Sequence, residues 1–271
     1  MENTEVNPDV LYKFRDWSNP HHKRIITNDE IYFASPNELN DPFDCSIPIR
    51  YDKASPETIR ELVKGFVASN FPDQNHQWRR EKEKEILKKY PLTDSEFWKR
   101  NDPIWLNQKN INFGIFSLSG TNTDILLWSH YSKNHQGFCL GYSFDSLSDF
   151  SLNQSYLDIH IDFVKVKYSV KYPLLIPKGR DDIKPTRKSF MTKAINWSYE
   201  KEWRLIMVGR ANKNRVISMR KYSFNTIYLG CKIPDEHKDE ILEEIKKKER
   251  EIKVYQAKMR KDKFALDFDL V

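Results

Sequence analysis

Glu200 and Glu202 are separated only by Lys201, and they lead straight into Trp203-Arg-Leu-Ile-Met-Val208. Read as a strand with a two-residue period, this stretch puts both carboxylates on one face and Lys201 and Trp203 on the other. The apolar run closes at Gly209, which predicts a short buried strand with a polar mouth. Two like charges at such a mouth repel each other, a cost that is recovered when a cation or a substrate lies against them. The everyday alternative is that Glu202 pairs with Arg204 or Lys201 on a wet strand edge.

Three other stretches carry residues with chemical potential. Arg15 ends the run Val10-Leu-Tyr-Lys-Phe-Arg15, which reads as a first strand. Pro36-Asn-Glu-Leu-Asn-Asp-Pro-Phe-Asp44 is dense in turn formers. Turn chemistry accounts for Pro36, Asn37 and Pro42. It leaves Asn40, Asp41 and Asp44, clustered around Phe43 as an apolar anchor, as candidates for capping amides or holding the loop beside the central cleft. A helix over 124–134, capped by Thr121, Asn122 or Thr123 and closed before Gly137, places Leu127, His130, Tyr131 and Asn134 on one flank, with Ile125 and Trp128 marking the core side. A lone histidine on such a helix is usually structural, so His130 and Tyr131 are ligand candidates only if that flank lines a cleft.

The elements that must position these groups follow from periodicity. Strands are expected at 10–15, 31–35, 112–119, 138–144, 159–170, 215–222, 226–229 and 253–259 and within the stretch 197–208, with a last edge strand near 264–270. In the strand at 112–119, Phe113, Ile115 and Ser117 share a face. Helices are expected at 21–27, 77–90, 94–108, 178–195 and 235–252, and another begins at Ser55-Pro56-Glu57. The strands show no regular alternation with helices, so the predicted class is α+β with a mixed, largely antiparallel sheet. Residues 1–271 read as one domain, with 56–110 as a helical insertion in which Trp78, Trp98 and Trp105 serve as packing anchors. The alternating charges from Arg79 to Glu85 fit a solvated helix face.

Composition narrows the class further. The chain has 271 residues, of which 39 % are hydrophobic and 13 % aromatic, enough to bury a full core. A net charge of +6 favours a polyanionic partner, although most basic residues sit beside acids. Cys45, Cys139 and Cys231 are odd in number and widely spaced, which points away from a zinc ribbon or disulfide framework and towards free thiols in a reducing compartment. No 18-residue apolar run and no signal-like start are present, so a cytoplasmic protein without membrane segments is expected. Gly-x-Gly-x-x-Gly, Walker, His-Glu-x-x-His and Gly-x-Ser-x-Gly strings are all missing. Asp41, Asp44, Glu200 and Glu202 with Lys201 could serve a metal-dependent nuclease, but their spacing does not require a metal.

Several strings occur together in a specific order: Leu11-Tyr-Lys-Phe-Arg15, Ile31-Tyr-Phe-Ala-Ser-Pro-Asn-Glu-Leu-Asn-Asp-Pro-Phe-Asp44, Phe116-Ser-Leu-Ser119, Leu127-Trp-Ser-His-Tyr131, Gly137-Phe-Cys-Leu-Gly-Tyr142 and Trp197-Ser-Tyr-Glu-Lys-Glu-Trp-Arg204. In these the chain resembles the bacterial family catalogued as domain of unknown function 2971, from about Leu11 to Gly230. That resemblance implies no reaction. A looser one does. Arg15, Ser117-Leu-Ser119 and Glu200-Lys-Glu202 follow the order of motifs in ADP-ribosyltransferases, including DNA-modifying toxins of the DarT kind. Leu118 replaces the usual threonine of the middle motif, and the gap from Ser119 to Glu200 is long.

This second resemblance implies NAD as a substrate and no metal cofactor. Arg15 would fork onto the pyrophosphate, and Ser117, Ser119, His130, Tyr131, Asn40 and Asp44 would line the dinucleotide. Glu202 would stabilise the cationic sugar as nicotinamide leaves, and Glu200 would orient the acceptor. The expected function is therefore an ADP-ribosyltransferase or NAD glycohydrolase acting as a bacterial toxin or anti-phage effector, with a nucleic-acid or protein acceptor and an antitoxin or defence-system partner. The alternatives are a metal-dependent nuclease and a non-catalytic nucleic-acid- or protein-binding component of a defence system.

Overall fold

The computed structural model describes residues 7–153, 159–179, 182–209 and 215–271, apart from the side chains at 102 and 105, so the packing role expected of Trp105 lies outside the described residues. In chain order the strands are β1 (Val10–Arg15), β2 (Glu30–Tyr32), β3 (Phe113–Ser119), β4 (Phe138–Ser143), β5 (His160–Lys165), β6 (Lys167–Ser169), β7 (Thr192–Ala194), β8 (Glu202–Val208), β9 (Val216–Ser218), β10 (Thr226–Leu229), β11 (Lys253–Met259) and β12 (Leu266–Leu270). The helices are α1 (Pro20–Thr27), α2 (Pro56–Asn70), α3 (His76–Lys89), α4 (Ser95–Asn112), α5 (Ile125–Tyr131), α6 (Phe144–Leu152), α7 (Lys184–Met191) and α8 (Asp235–Lys246). Contacts divide the chain into one unit of residues 1–38, 111–166 and 196–271 and another of 39–110 and 167–195.

The first unit is built on an eight-stranded sheet in the order β12-β11-β10-β4-β1-β3-β8-β5. Neighbours are antiparallel except β10 and β11, so the class is α+β with a mixed, mostly antiparallel sheet. The interior strands β4 and β8 are buried on both faces, which is why their sequences are rich in apolar residues. On one face Leu11, Leu118, Leu140 and Leu205 join a cluster with Ile25 and Ile26 of α1, Phe150 of α6 and Ile241 of α8. Each such side chain contributes about 1.5–3 kcal/mol of burial. On the other face Phe14, Cys139, Ala257 and Leu266 pack with Leu127 and Trp128 of α5. Edge-to-face packing of Phe14 on Trp128, with ring centroids 5.1 Å apart, ties α5 to the middle of the sheet.

The second unit holds α2, α3, most of α4, α7 and the parallel pair β6 and β7. The Ser55 hydroxyl accepts from the Thr58 amide at 3.2 Å, so α2 starts where Ser-Pro-Glu places it. Ile59, Val63 and Val67 then follow at helical spacing and are buried. No residue of α3 is buried, as its alternating charges require. Trp78 packs against Phe71, and Trp98 stacks on Tyr51 at 4.7 Å. Among the described residues no helix is long and apolar enough to cross a membrane.

Several expectations need correction. The cap of α5 is Asp124, whose carboxylate accepts from the Leu126 amide at 2.8 Å, and none of Thr121, Asn122 and Thr123 caps it. That helix ends at Tyr131 because Lys133, Asn134 and His135 all take positive φ. Ile125 is exposed, and Leu127 joins Trp128 in the core. The helix expected over 178–195 is confined within the described residues to Lys184–Met191 and is followed by β7. Phe43 is not a buried anchor. It is 63 % exposed and meets Tyr172 edge-on.

Candidate active-site carboxylates

The register of three strands sets the site. Tyr12 of β1 stands opposite Ser119 of β3, and Ser119 stands opposite Glu202 of β8. Ser117 is likewise opposite Arg204. Directly opposed residues share a face, so Tyr12, Ser117, Ser119, Glu202 and Arg204 all lie on the side covered by α5. Arg204 is fully buried, and its guanidinium grips Glu202 with both arms, Nε to Oε1 at 2.7 Å and Nη2 to Oε2 at 2.9 Å. The bland expectation of a wet Glu202–Arg204 pair is thus half right. The partners are correct, but Glu202 is only 3 % exposed. A bidentate pair fixes the carboxylate plane.

Glu200 reaches the same face by a different route from the continuous strand expected. It ends a 3-10 turn over Ile195–Glu200, and Lys201 follows with φ +48°. A lysine in the left-handed region costs on the order of 1–2 kcal/mol, so the surrounding contacts must hold it there. The Gly120 amide donates to the Lys201 carbonyl at 2.9 Å. The Ser119 hydroxyl donates to the Glu200 carbonyl at 2.7 Å and accepts from the Thr121 amide at 3.1 Å. This kink turns the carboxylate of the buried Glu200 towards α5, where the Tyr131 hydroxyl donates to Oε1 at 2.7 Å. Ser119 therefore clamps the backbone and is engaged in holding the two carboxylates together.

The residues from Tyr131 to Arg204 are where a known family meets this chain. One family model matches here. It is described as a protein of unknown function (DUF2971) and covers residues 127–205, less than a third of the chain, including Tyr131, Glu200, Glu202 and Arg204. The match supports the resemblance read from Leu127-Trp-Ser-His-Tyr131, Gly137-Phe-Cys-Leu-Gly-Tyr142 and Trp197 to Arg204, while the strings before Leu127 lie outside it. No curated protein and no solved structure matches the chain.

The remaining candidates are dispersed. Arg15 is three residues beyond Tyr12 on a regular strand, so its side chain stands on the opposite face, beside Tyr142 and His22. Desolvation there lowers its pKa to about 10, which leaves it charged at neutral pH. His130 is exposed, and its ring meets Tyr131 edge-on. Ser117 is half-buried, and its carbonyl accepts from the Lys13 ammonium at 2.6 Å.

Asn40 and Asp44 belong to the second unit. Asn40 is exposed there, while Asp44 is buried with its carboxylate 3.7 Å from the buried Lys193 ammonium. Asp41 does cap, accepting from the Phe43 amide at 2.9 Å. In the sequence Arg204 reads as an ordinary strand-edge charge, and Lys193 does not stand out. An arginine inside an apolar run was the available signal for the first, and Lys193 carried none. Among the described residues no group of three or more His, Cys, Asp or Glu side chains is arranged to hold a metal ion. Burial pushes the Cys139 thiol well above its usual range, so it stays a packing residue and not a nucleophile.

Proposed function

We propose that the chain is an NAD-using enzyme, an ADP-ribosyltransferase or NAD glycohydrolase, with Glu202 as its catalytic carboxylate. The observation that carries this reading is the pair of buried carboxylates on one sheet face, each held by a dedicated donor, Arg204 for Glu202 and Tyr131 for Glu200. Cleavage of the bond between ribose C1′ and nicotinamide builds positive charge on the sugar, and a preorganised carboxylate stabilises it without reorganising during the reaction. Arg204 supplies the counter-charge that permits Glu202 to be buried in the free enzyme. Glu200 orients the incoming water or acceptor and receives its proton. The pyrophosphate role that the resemblance gives Arg15 is dropped, because Arg15 faces away.

In this reading the sheet is ADP-ribosyltransferase-like. The protein acts in the cytoplasm as a toxin or defence effector on a nucleic-acid or protein acceptor, under the control of an antitoxin or defence-system partner. The test is nicotinamide release from NAD by the full chain, with and without a chelator, for the wild type and for Glu200→Gln and Glu202→Gln. Chelator-insensitive release that falls at least about 100-fold in Glu202→Gln, per folded molecule and at a temperature where that variant is folded, supports the reading. Absence of release, together with nucleic-acid cleavage that the chelator stops, replaces it with the nuclease.

A further inference from the structure

A concavity of about 800 Å³ in the second unit is lined by Lys64 of α2, by Lys178, and by Lys184 and Lys188 of α7. Among the described residues its acids are Glu61 and Asp182. Some lysines of the chain find local carboxylates, as in Lys82–Glu85, Lys99–Glu96 and Lys247–Glu244. Here they do not. Among the described residues none of the four ammonium groups makes an ion pair or hydrogen bond, although two carboxylates share the wall. Asp182 is occupied otherwise, accepting from the backbone amides of Lys178 at 3.0 Å and Lys184 at 3.2 Å.

The result is four lysines lining one hollow, with Glu61, Asp182 and an apolar stretch, Leu174, Leu175 and Ile176, in the same wall. Four like charges facing a shared space repel one another. All four lysines are exposed, so solvent and salt screen that repulsion, and a bound anion relieves it. Leu174 is 63 % exposed beside the lysines, an apolar contact for the sugar or base of a phosphorylated ligand. The volume falls within the range of roughly 300–1,000 Å³ typical of small-ligand sites.

We propose that this concavity binds a ligand carrying two or more closely spaced phosphate groups, supplied by a nucleic-acid strand or by a free oligophosphate. Lysine ammonium groups suit such a ligand because they act as mobile point charges and donate to phosphate oxygens in many orientations. The inference does not rest on the carboxylate reading of Glu202.

The experiment measures binding of a labelled 12-nucleotide single strand to the full chain across salt concentrations, with inorganic triphosphate as competitor. Lys184→Gln/Lys188→Gln is compared with the wild type and with Lys82→Gln/Lys84→Gln on α3, which makes the same charge change elsewhere. The expected result is at least a tenfold loss of affinity and a shallower salt slope for the concavity variant, with an unchanged melting temperature and near wild-type binding by the α3 variant. Each lost phosphate contact should reduce the slope by about 0.7. Displacement of the strand by micromolar triphosphate assigns the site to free oligophosphates, and resistance to it assigns the site to nucleic acid. Should the strand not bind at low salt, or should both variants weaken it equally, the proposal is overturned. An unaltered affinity in Glu202→Gln keeps the outcome separate from that of the NAD reading.

Discussion

Arg15 and Glu202 lie on opposite faces of the same sheet, a consequence of the Tyr12–Ser119–Glu202 register and the odd number of residues from Tyr12 to Arg15. An arginine on the first strand followed later by a Glu-x-Glu suggests two ends of one dinucleotide site. The strand period separates them. Arg15 instead sits among Tyr142 and His22, where desolvation and not an anionic partner dominates its titration.

Arg15→Met should therefore leave nicotinamide release within about twofold of the wild type. Exchanging a desolvated charge for an apolar chain of similar length is often neutral or stabilising, so the melting temperature should hold or rise. A loss of turnover as large as that of Glu202→Gln would place Arg15 in the reaction after all.

Tyr131→Phe removes the hydroxyl that donates to Glu200 at 2.7 Å and leaves that buried carboxylate short of one donor. Hydrogen bonds to charged groups contribute about 1.5–3 kcal/mol, so a loss of that order in denaturant unfolding is expected. Turnover should drop further than this destabilisation explains at temperatures where the variant is fully folded. Equal turnover per folded molecule would reduce the tyrosine to a structural prop.

How much of this was legible beforehand differs by element. The ends of β1, β10 and β11 follow directly from their apolar spacing, and α2 begins at its Ser-Pro-Glu signal. The helix end after Tyr131 did not, because Lys133, Asn134 and His135 adopt left-handed conformations normally left to glycine. Tertiary packing explains why they do. A Cβ on Gly137 would overlap the Arg15 carbonyl and one on Gly230 the His135 carbonyl, so this loop is pressed between β1 and the end of β10. Glu200 and Glu202 were found by type and spacing, but Lys201 breaks the strand period that was used to pair them. The burial of Arg204 is not legible locally because it depends on strands β3 and β5 on either side of it, information that no local window contains.

His22 provides a pH signature for the opposite face. Burial, reinforced by Arg15, lowers its pKa from 6.5 to about 4. The unfolded chain takes up a proton below about pH 6.5 while the folded chain does not until near pH 4, so the unfolded state binds more protons in that window. Stability should accordingly fall as pH drops from 6.5 towards 4, with no contribution from this group above 6.5. For a ring that is partly solvated the loss is about 1–2 kcal/mol once screening is counted. Unfolding of His22→Gln from pH 4 to 7 should show a flatter acid limb. An unchanged limb would assign the acid sensitivity to the carboxylates.

The Glu202–Arg204 pair separates chemistry from architecture. Were it an exposed edge pair, Glu202→Gln would cost no more than about 1 kcal/mol. It is buried on both sides, so the single change leaves a desolvated guanidinium facing a neutral amide, and a cost of roughly 3–5 kcal/mol is expected. Loss of activity in that variant alone would therefore be ambiguous. The double variant Glu202→Leu/Arg204→Met removes both charges at similar volume and should recover at least half of the lost stability, because an apolar pair has no charge to desolvate. It should remain inactive if Glu202 stabilises the cationic sugar. Unfolding free energies for both single variants and the double, read beside nicotinamide release at a temperature where all are folded, close the cycle. Recovery of stability without activity assigns chemistry to the carboxylate, whereas recovery of both would make the pair purely structural.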